Sequence, residues 1–405
     1  MSFERGRAVA GSLRTTTRAL LSDGDGWILL TVSMGWFLVL GARLVIPALL
    51  APISAEFGLD LAGAGSIYSL LLFVAALLQF PSGILCDRLG GGRVMLAGFL
   101  LTFGGVVLMA VAPALVAFVL GVVLFGLGTG TFGTPRVTVL AETYDEHEGT
   151  ALGVLSGFGN AGTSILPVVA GALAVTVGWR AGFGVLVPLF LLTALGIYVF
   201  VPAGEARGEG TAVRDTLRDV LAAARARDVV LITAVMTTMF FNYQGLTGML
   251  VAYLMQAKGL SQTTASTLLG VFFVGGIGFQ LVAGNLGDRI GADRALAGVA
   301  AASALTIAAL TFVSGLPLLT AVVLLMSVQL GVWPLAFSYA TSALPADVRA
   351  GGLGLLRTVY LVLAAPASAL VGAMGDAGMF DTAFLVLAGI AAVATLVCLA
   401  LPRQS

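Results

Sequence analysis

The sequence predicts an all-α polytopic membrane protein in which twelve transmembrane helices form two pseudo-symmetric six-helix bundles. Three observations predict it. Hydrophobic residues make up 59% of the 405 positions, charged residues 10%, and mean hydropathy is +1.06, which does not describe a water-soluble globule. Apolar runs of about 20 residues, enough to cross roughly 30 Å of hydrocarbon, recur along the whole chain. A charged stretch, Gly83-Ile84-Leu85-Cys86-Asp87-Arg88-Leu89-Gly90-Gly91-Gly92-Arg93, returns 201 residues later as Gly284-Asn285-Leu286-Gly287-Asp288-Arg289-Ile290-Gly291-Ala292-Asp293-Arg294. The same offset pairs Phe57-Gly58-Leu59 with Lys258-Gly259-Leu260, Gln79 with Gln280, Gly153 with Gly354 and Phe183 with Phe384, so the chain is a duplicated unit.

Taken in order, a tail (1–26) carries Arg5, Arg7, Arg14 and Arg18 without the apolar core or cleavage site of a signal peptide. A first bundle (27–201) follows, with spans 1 to 6 near 27–50, 62–85, 94–112, 114–140, 150–177 and 181–201. Residues 202–228 form a linker whose Val213, Leu217, Val220, Leu221 and Ala224 fall at helical spacing, as in an amphipathic helix lying on the membrane face. A second bundle (229–401) holds spans 7 to 12 near 229–256, 263–286, 295–314, 317–342, 350–374 and 380–401, before a short tail (402–405). The 54 glycines suit bilayer helices that pack backbone to backbone.

Basic residues set the expected orientation, because short cytoplasmic loops retain positive charge. With the N-terminus inside, fifteen arginines fall on the cytoplasmic side against Arg180 and Lys258 outside, so both termini are expected in the cytoplasm. The three remaining basic residues, Arg43, Arg136 and Arg357, lie inside apolar spans.

The doubled pattern G-x-L-x-D-R-x-G-x-x-R resembles the loop between the second and third helices of the major facilitator superfamily, and the resemblance extends over nearly all of the chain. It implies a secondary transporter with spans 1, 4, 7 and 10 around a central cavity. It also implies a gating role for the charged turns, Gly83, Asp87, Arg88, Gly90 and Arg93 with Gly284, Asp288, Arg289, Gly291 and Arg294. In this scheme Asp87 meets the N-terminal dipole of span 11, and Arg88 or Arg93 reaches Glu142 at the end of span 4, a latch that holds the outward-facing state. The alternative is that these charges serve topology alone.

The arginines within spans point to the substrate. Arg43 lies roughly 24 Å along span 1 at 1.5 Å per residue, and an intramembrane arginine costs at least about 2.5 kcal/mol, so a functional role is the default. The resemblance lets Arg43 face the cavity; snorkelling to the outer surface is the other possibility. Its repeat mate is Gln244, within Asn242-Tyr243-Gln244, a polar interruption of span 7. Arg136 either binds substrate or pairs at the inner gate, and Arg357 is read as a gate residue near Asp87, with substrate binding as its alternative. Gln329 and Trp333 of span 10 and Asn160 of span 5 complete the candidate binding set. Asn160 stands in Gly157-Phe158-Gly159-Asn160-Ala161-Gly162, which resembles the G-x-G-N-x-G signature of nitrate/nitrite porters, although the arginines that family carries in spans 2 and 8 are missing. The same span also reads as a degenerate antiporter signature, and close helix packing explains both patterns.

All acidic residues fall in loops or at span ends, so buried cations without buried acids favour an anionic solute. The single histidine, His147, and the isolated Cys86 and Cys398 leave little from which to build a hydrolytic or metal centre. No phosphate-cradling G-x-x-x-x-G-K-[ST] loop is present. The sequence therefore leads to a non-enzymatic transporter without a cofactor: a monomer in the lipid bilayer, moving a small solute with or without a coupling ion and taking no nucleic acid. Efflux of apolar or cationic compounds and a transport-dead sensor are the alternatives.

Overall fold

The computed structural model describes residues 25–144, 148–204, 225–345 and 349–403. Among them, twelve helices are long and apolar enough to cross a bilayer, where a helix satisfies every backbone amide within one segment. They are α1 (Asp25–Phe57), α2 (Leu61–Leu89), α3 (Gly91–Val111), α4 (Leu115–Thr143), α5 (Glu148–Thr176) and α6 (Trp179–Phe200), then α7 (Arg227–Gln256), α8 (Gln262–Ile290), α9 (Ala292–Phe312), α10 (Leu316–Ala343), α11 (Gly352–Asp376) and α12 (Phe380–Leu399). The N-terminal tail to residue 24 and the expected linker helix, up to residue 224, lie outside the described residues.

The repeat is visible in the helix ends. α2 and α8 start at Leu61 and Gln262 and stop at Leu89 and Ile290, and α3 and α9 run Gly91–Val111 and Ala292–Phe312, each pair 201 apart. Asp60 caps α2 by accepting from the Gly63 amide, and its mate Ser261 caps α8 by accepting from Thr264. In the charged turns Gly90 and Gly291 adopt φ 89°, ψ 141° and φ 92°, ψ 144°. That backbone region costs other residues about 1–3 kcal/mol, so these two glycines serve the turn itself. The first turn is also covered by the chain leaving α6: a Cβ on Gly92 would strike the Pro202 carbonyl, and the Arg93 amide donates to Ala203 (3.3 Å).

At the end of the molecule opposite the charged turns, each bundle carries its own polar clasp. In the first, Arg180 of α6 makes a bidentate pair with Glu56 of α1 (2.8 and 2.6 Å), and the Trp179 indole donates to the same carboxylate at 2.6 Å. In the second, Tyr253 of α7 donates to Asp381 of α12 (2.5 Å), with Lys258 3.9 Å from that carboxylate. Arg180 and Asp381 are repeat mates, so the two clasps have opposite polarity.

The bundles meet along α2 against α11 and α5 against α8. At the end opposite the charged turns the approach is backbone to backbone: a Cβ on Gly65 would collide with the Ser368 carbonyl, on Gly372 with Leu61, on Gly171 with the Ser266 hydroxyl and on Gly270 with Ser164. Eighteen residues, five turns, along the same stripes lie Gly83 on α2, Gly153 on α5 and Gly354 on α11, and there an added Cβ meets nothing within 4 Å, as also at Gly284 on α8. The same faces that touch at one end stand apart at the other, so the two bundles diverge toward the charged turns.

This geometry predicts opposite effects for a bulky residue at the two ends of one stripe. Gly65→Val or Gly372→Val should wedge the touching end apart, whereas Gly83→Val or Gly354→Val should leave this arrangement unchanged and hinder closure of the charged-turn end. Distances between spin labels placed across each end would show it; equal responses from all four variants would contradict the divergence.

Candidate functional site

Between the bundles lies a cavity of about 120 Å³. The first bundle contributes Arg43 of α1 and Asn160 and Thr163 of α5; the second contributes Tyr243 of α7, Gln280 of α8 and Trp333 of α10. A larger space of about 370 Å³ sits at the touching end, with Ser54, Asp60, Gln256 and Asp376 on its walls, and contains no cationic side chain. The smaller cavity therefore carries the unusual chemistry.

Arg43 is half-buried and points across the interface. Its Nη2 donates to Gln244 Oε1 at 3.0 Å, a bond between residues 201 apart, and its Nε lies 3.5 Å from the Tyr68 hydroxyl. Among the described residues no carboxylate pairs with it. A guanidinium has five N–H donors, and two neutral acceptors occupy at most two of them. Because arginine is donor-only, the Gln244 atom facing it is the amide oxygen, which turns the Gln244 Nε2 donors away, and these have no partner. The Gln244 backbone carbonyl in turn accepts from Ser368 of α11 (2.8 Å). A fixed cation thus stands at the cavity wall, and the amide that accepts from it is buried behind it with its own donors unused.

The facing wall is aromatic. Tyr243 and Trp333 have ring centroids 6.1 Å apart, Phe240 lies 5.4 Å from Trp333 and 5.0 Å from Tyr360, and Phe273 packs edge-on to Tyr243 at 6.4 Å. Phe273, which lines the cavity, and Phe240 and Tyr360, which pack on Trp333 outside its lining, were not legible in the sequence. The spacing of Phe240 and Tyr243, nearly one turn on a helix whose next residue is Gln244, is the trace they leave in the sequence.

Of the residues expected to bind, Arg43, Tyr243, Gln244, Asn160 and Trp333 come together. Asn242 and Gln329 do not join them. Both are buried inside the second bundle, where Asn242 donates to the Leu387 carbonyl of α12 (2.5 Å) and Gln329 donates to Asn242 Oδ1 (3.1 Å) and, more weakly, to Met239 (3.4 Å). They support a 3₁₀ break at Ser327–Gly331 within α10. Arg136 is also apart from the cavity. It is buried with its guanidinium 3.5 Å from the Trp36 ring centroid, Nη1 donating to the Gly133 carbonyl and Nε without a partner. Arg357, on α11, is half-buried and likewise has an unpartnered Nε.

In the α5 pattern, Gly159 and Gly162 pack against Trp36 and the Phe37 carbonyl of α1, and a Cβ on Gly41 would meet Gly162 in return, while a Cβ on Gly157 meets nothing. Two of its glycines thus serve helix packing and Asn160 faces the cavity. Of the expected gate residues, Arg88, Arg93, Glu142, Asp288, Arg289 and Arg294 are exposed at the charged-turn end. Arg93 donates within its own turn, to Leu89 (3.3 Å). The side chain of Asp87 lies outside the described residues.

Among the described residues, twelve helices long and apolar enough to cross a bilayer form two repeat-related bundles around an interfacial cavity, an architecture suited to a membrane transporter. The family model of the Major Facilitator Superfamily matches residues 31–261 and 231–405, and the chain belongs to that superfamily. It is 24% identical to the cis,cis-muconate transport protein of Acinetobacter baylyi over 91% of this chain and 88% of that one. It is 25% identical to the fosmidomycin resistance protein of Escherichia coli over 71% of each, and 26% identical to a probable nitrate/nitrite antiporter of Thermus thermophilus over 65% of this chain and 61% of that one. Among solved structures, a bacterial homologue of the lysosomal transporter Spinster, inward-facing and unoccupied, superposes with TM-score 0.77 at 15% identity over 95% of this chain and 99% of the other. The nucleoside transporter NupG gives 0.78 at 15% identity over 92% and 99%. These likenesses establish the fold.

The geometry separates two kinds of polar residue. Asn242→Leu should lower thermal stability by about 1–3 kcal/mol, because it strands the Leu387 carbonyl and the Gln329 amide in the bundle interior, while Arg43→Gln should leave the melting temperature near that of the parent. Thermal unfolding in detergent monitored by tryptophan fluorescence checks this, and a loss at Arg43 as large as at Asn242 would reverse the assignment.

Proposed function

We propose that the protein is a secondary transporter that moves a small anion across the cytoplasmic membrane by alternating access, with Arg43 holding the negative part of the solute. The observation that carries this reading is the state of Arg43: a permanently charged group at the cavity wall, with neutral acceptors on two sides, donors to spare and no carboxylate partner among the described residues. An anion in the cavity would complete the Arg43 donors that Gln244 and Tyr68 leave unused. Its body would lie against Tyr243 and Trp333. Muconate, nitrate and nitrite, which name two of the relatives, are anions.

The excess of arginine at the charged-turn end supports placing that end and both termini in the cytoplasm. With that orientation the diverging bundles expose the cavity to the inside, and transport consists of rocking the bundles until the charged-turn end closes and the other opens. Arg136 and Arg357, with donors unused, would offer further cationic groups along the inner route. The working unit is taken as a monomer, with or without a coupling ion.

A second reading, efflux of a neutral or cationic compound, is favoured by the aromatic groups that line the cavity opposite Arg43, Tyr243, Phe273 and Trp333.

The two readings part at Arg43. In proteoliposomes offered nitrate, nitrite, phosphate and cis,cis-muconate, with and without proton and sodium gradients, the anion reading expects transport of at least one. Arg43→Lys, which keeps charge but loses the planar fork, should weaken binding about tenfold or more, and Arg43→Gln should weaken it further. An Arg43→Gln protein that binds and moves the solute like the parent would leave efflux of a neutral or cationic compound as the better reading.

A further inference from the structure

At the end where the bundles touch, one contact is ionic in character and joins them directly. Asp376, the last residue of α11, accepts from the backbone amides of Leu61 and Ala62, the first two residues of α2, at 2.8 and 2.7 Å through its two carboxylate oxygens. The next two amides of α2 are satisfied locally: Gly63 donates to the Asp60 side chain (2.7 Å) and Ala64 to the Asp60 carbonyl (3.0 Å). A helix leaves its first four N–H groups without intrahelical partners. In α2 two of these four are completed from the other bundle. Opening this end removes both bonds and draws a negative charge away from the positive end of the α2 dipole.

The arrangement occurs on one side of the interface. The residue of the first half that corresponds to Asp376 is Val175, so the α5/α8 pair has no acid in that place. There Ser261 caps α8 by itself, and Gln262 reaches the Ala48 carbonyl instead. The α2/α11 pair is antiparallel, and it carries an acid in the last turn of each helix, Asp87 on α2 and Asp376 on α11. Asp376 is exposed and its partners are backbone amides, so water can replace either side of the contact as it breaks and re-forms.

We infer that Asp376 is the latch that holds the end opposite the charged turns shut, and that it alternates with Asp87, each carboxylate capping the start of the other helix when its own end is closed. The inference rests on the alternating-access reading. It assigns a gating role to a residue that the sequence pattern left among the loop acids.

The test uses the full chain in lipid nanodiscs, in a background without Cys86 and Cys398. Spin-label pairs at Val177 and Thr263 report the touching end, and pairs at Thr150 and Asn285 the charged-turn end; all four sites lie on the α5/α8 side, away from the residue that is changed. Asp376→Asn should raise the proportion with a wide Val177–Thr263 separation about tenfold over the parent, Asp376→Glu should fall between them, and Asp87→Asn should shift the ratio the other way. An unchanged melting temperature separates opening from unfolding. If the parent shows two populations and Asp376→Asn leaves their ratio unchanged, the latch is overturned while alternation stands. If parent and variants alike show one distance, with or without nitrate or cis,cis-muconate, alternation and latch fail together.

Discussion

Helices in a bilayer gain little by burying apolar surface against each other, since lipid is equally apolar, so they associate where backbones can approach closely. In this protein that constraint falls on the small residues of α2, α5, α8 and α11. Gly65 against Ser368, Gly372 against Leu61, Gly171 against Ser266 and Gly270 against Ser164 hold the bundles together at one end. Each helix presents a further glycine toward its other end, at Gly83, Gly153, Gly284 and Gly354, where no partner has arrived. The interface is thus prepared along its length and used over part of it. A cavity between the bundles follows from that divergence.

Arg43 depends on the same constraint. Its hydrogen bond to Gln244 joins the two bundles at equivalent positions of the repeat, and Gln244 is itself held to α11 through Ser368, the residue packed on Gly65. The cation is therefore tied, through one amide, to the surface that keeps the touching end closed. A solute that competes for Arg43 acts close to the contacts on which the arrangement of the bundles rests.

Much of the fold was legible because hydrophobic length and a repeated charged turn are properties of local sequence. The expected spans near 62–85 and 263–286 begin within a residue of the observed helix starts, Leu61 and Gln262, and the offset of 201 related Arg43 to Gln244 as repeat mates. Direction was harder to read. Asn242, Tyr243 and Gln244 are consecutive, yet on a helix they point about 100° apart, so Tyr243 and Gln244 reach the interface while Asn242 turns inward to Leu387. A polar residue in an apolar span shows that a partner exists without showing on which side. Gln329 has the same history: its partner is Asn242, 87 residues away, and no spacing rule connects them. Asp376 was unremarkable among span-end acids because its partners are two backbone amides 315 and 314 residues distant, which carry no side-chain signature.

The opposite polarity of the two end clasps bears on how a duplicated chain assembles correctly. The halves share helix lengths, turns and caps, so during insertion α12 has much the same shape to offer α1 as α6 does. Charge distinguishes them. Seating α12 in the place of α6 would bring Asp381 to Glu56, acid against acid, and seating α6 against α7 would bring Arg180 near Lys258, base against base. A change of sign at one pair of equivalent sites thus gives two similar halves opposite charge in the same place, a bias toward each sixth helix pairing within its own half.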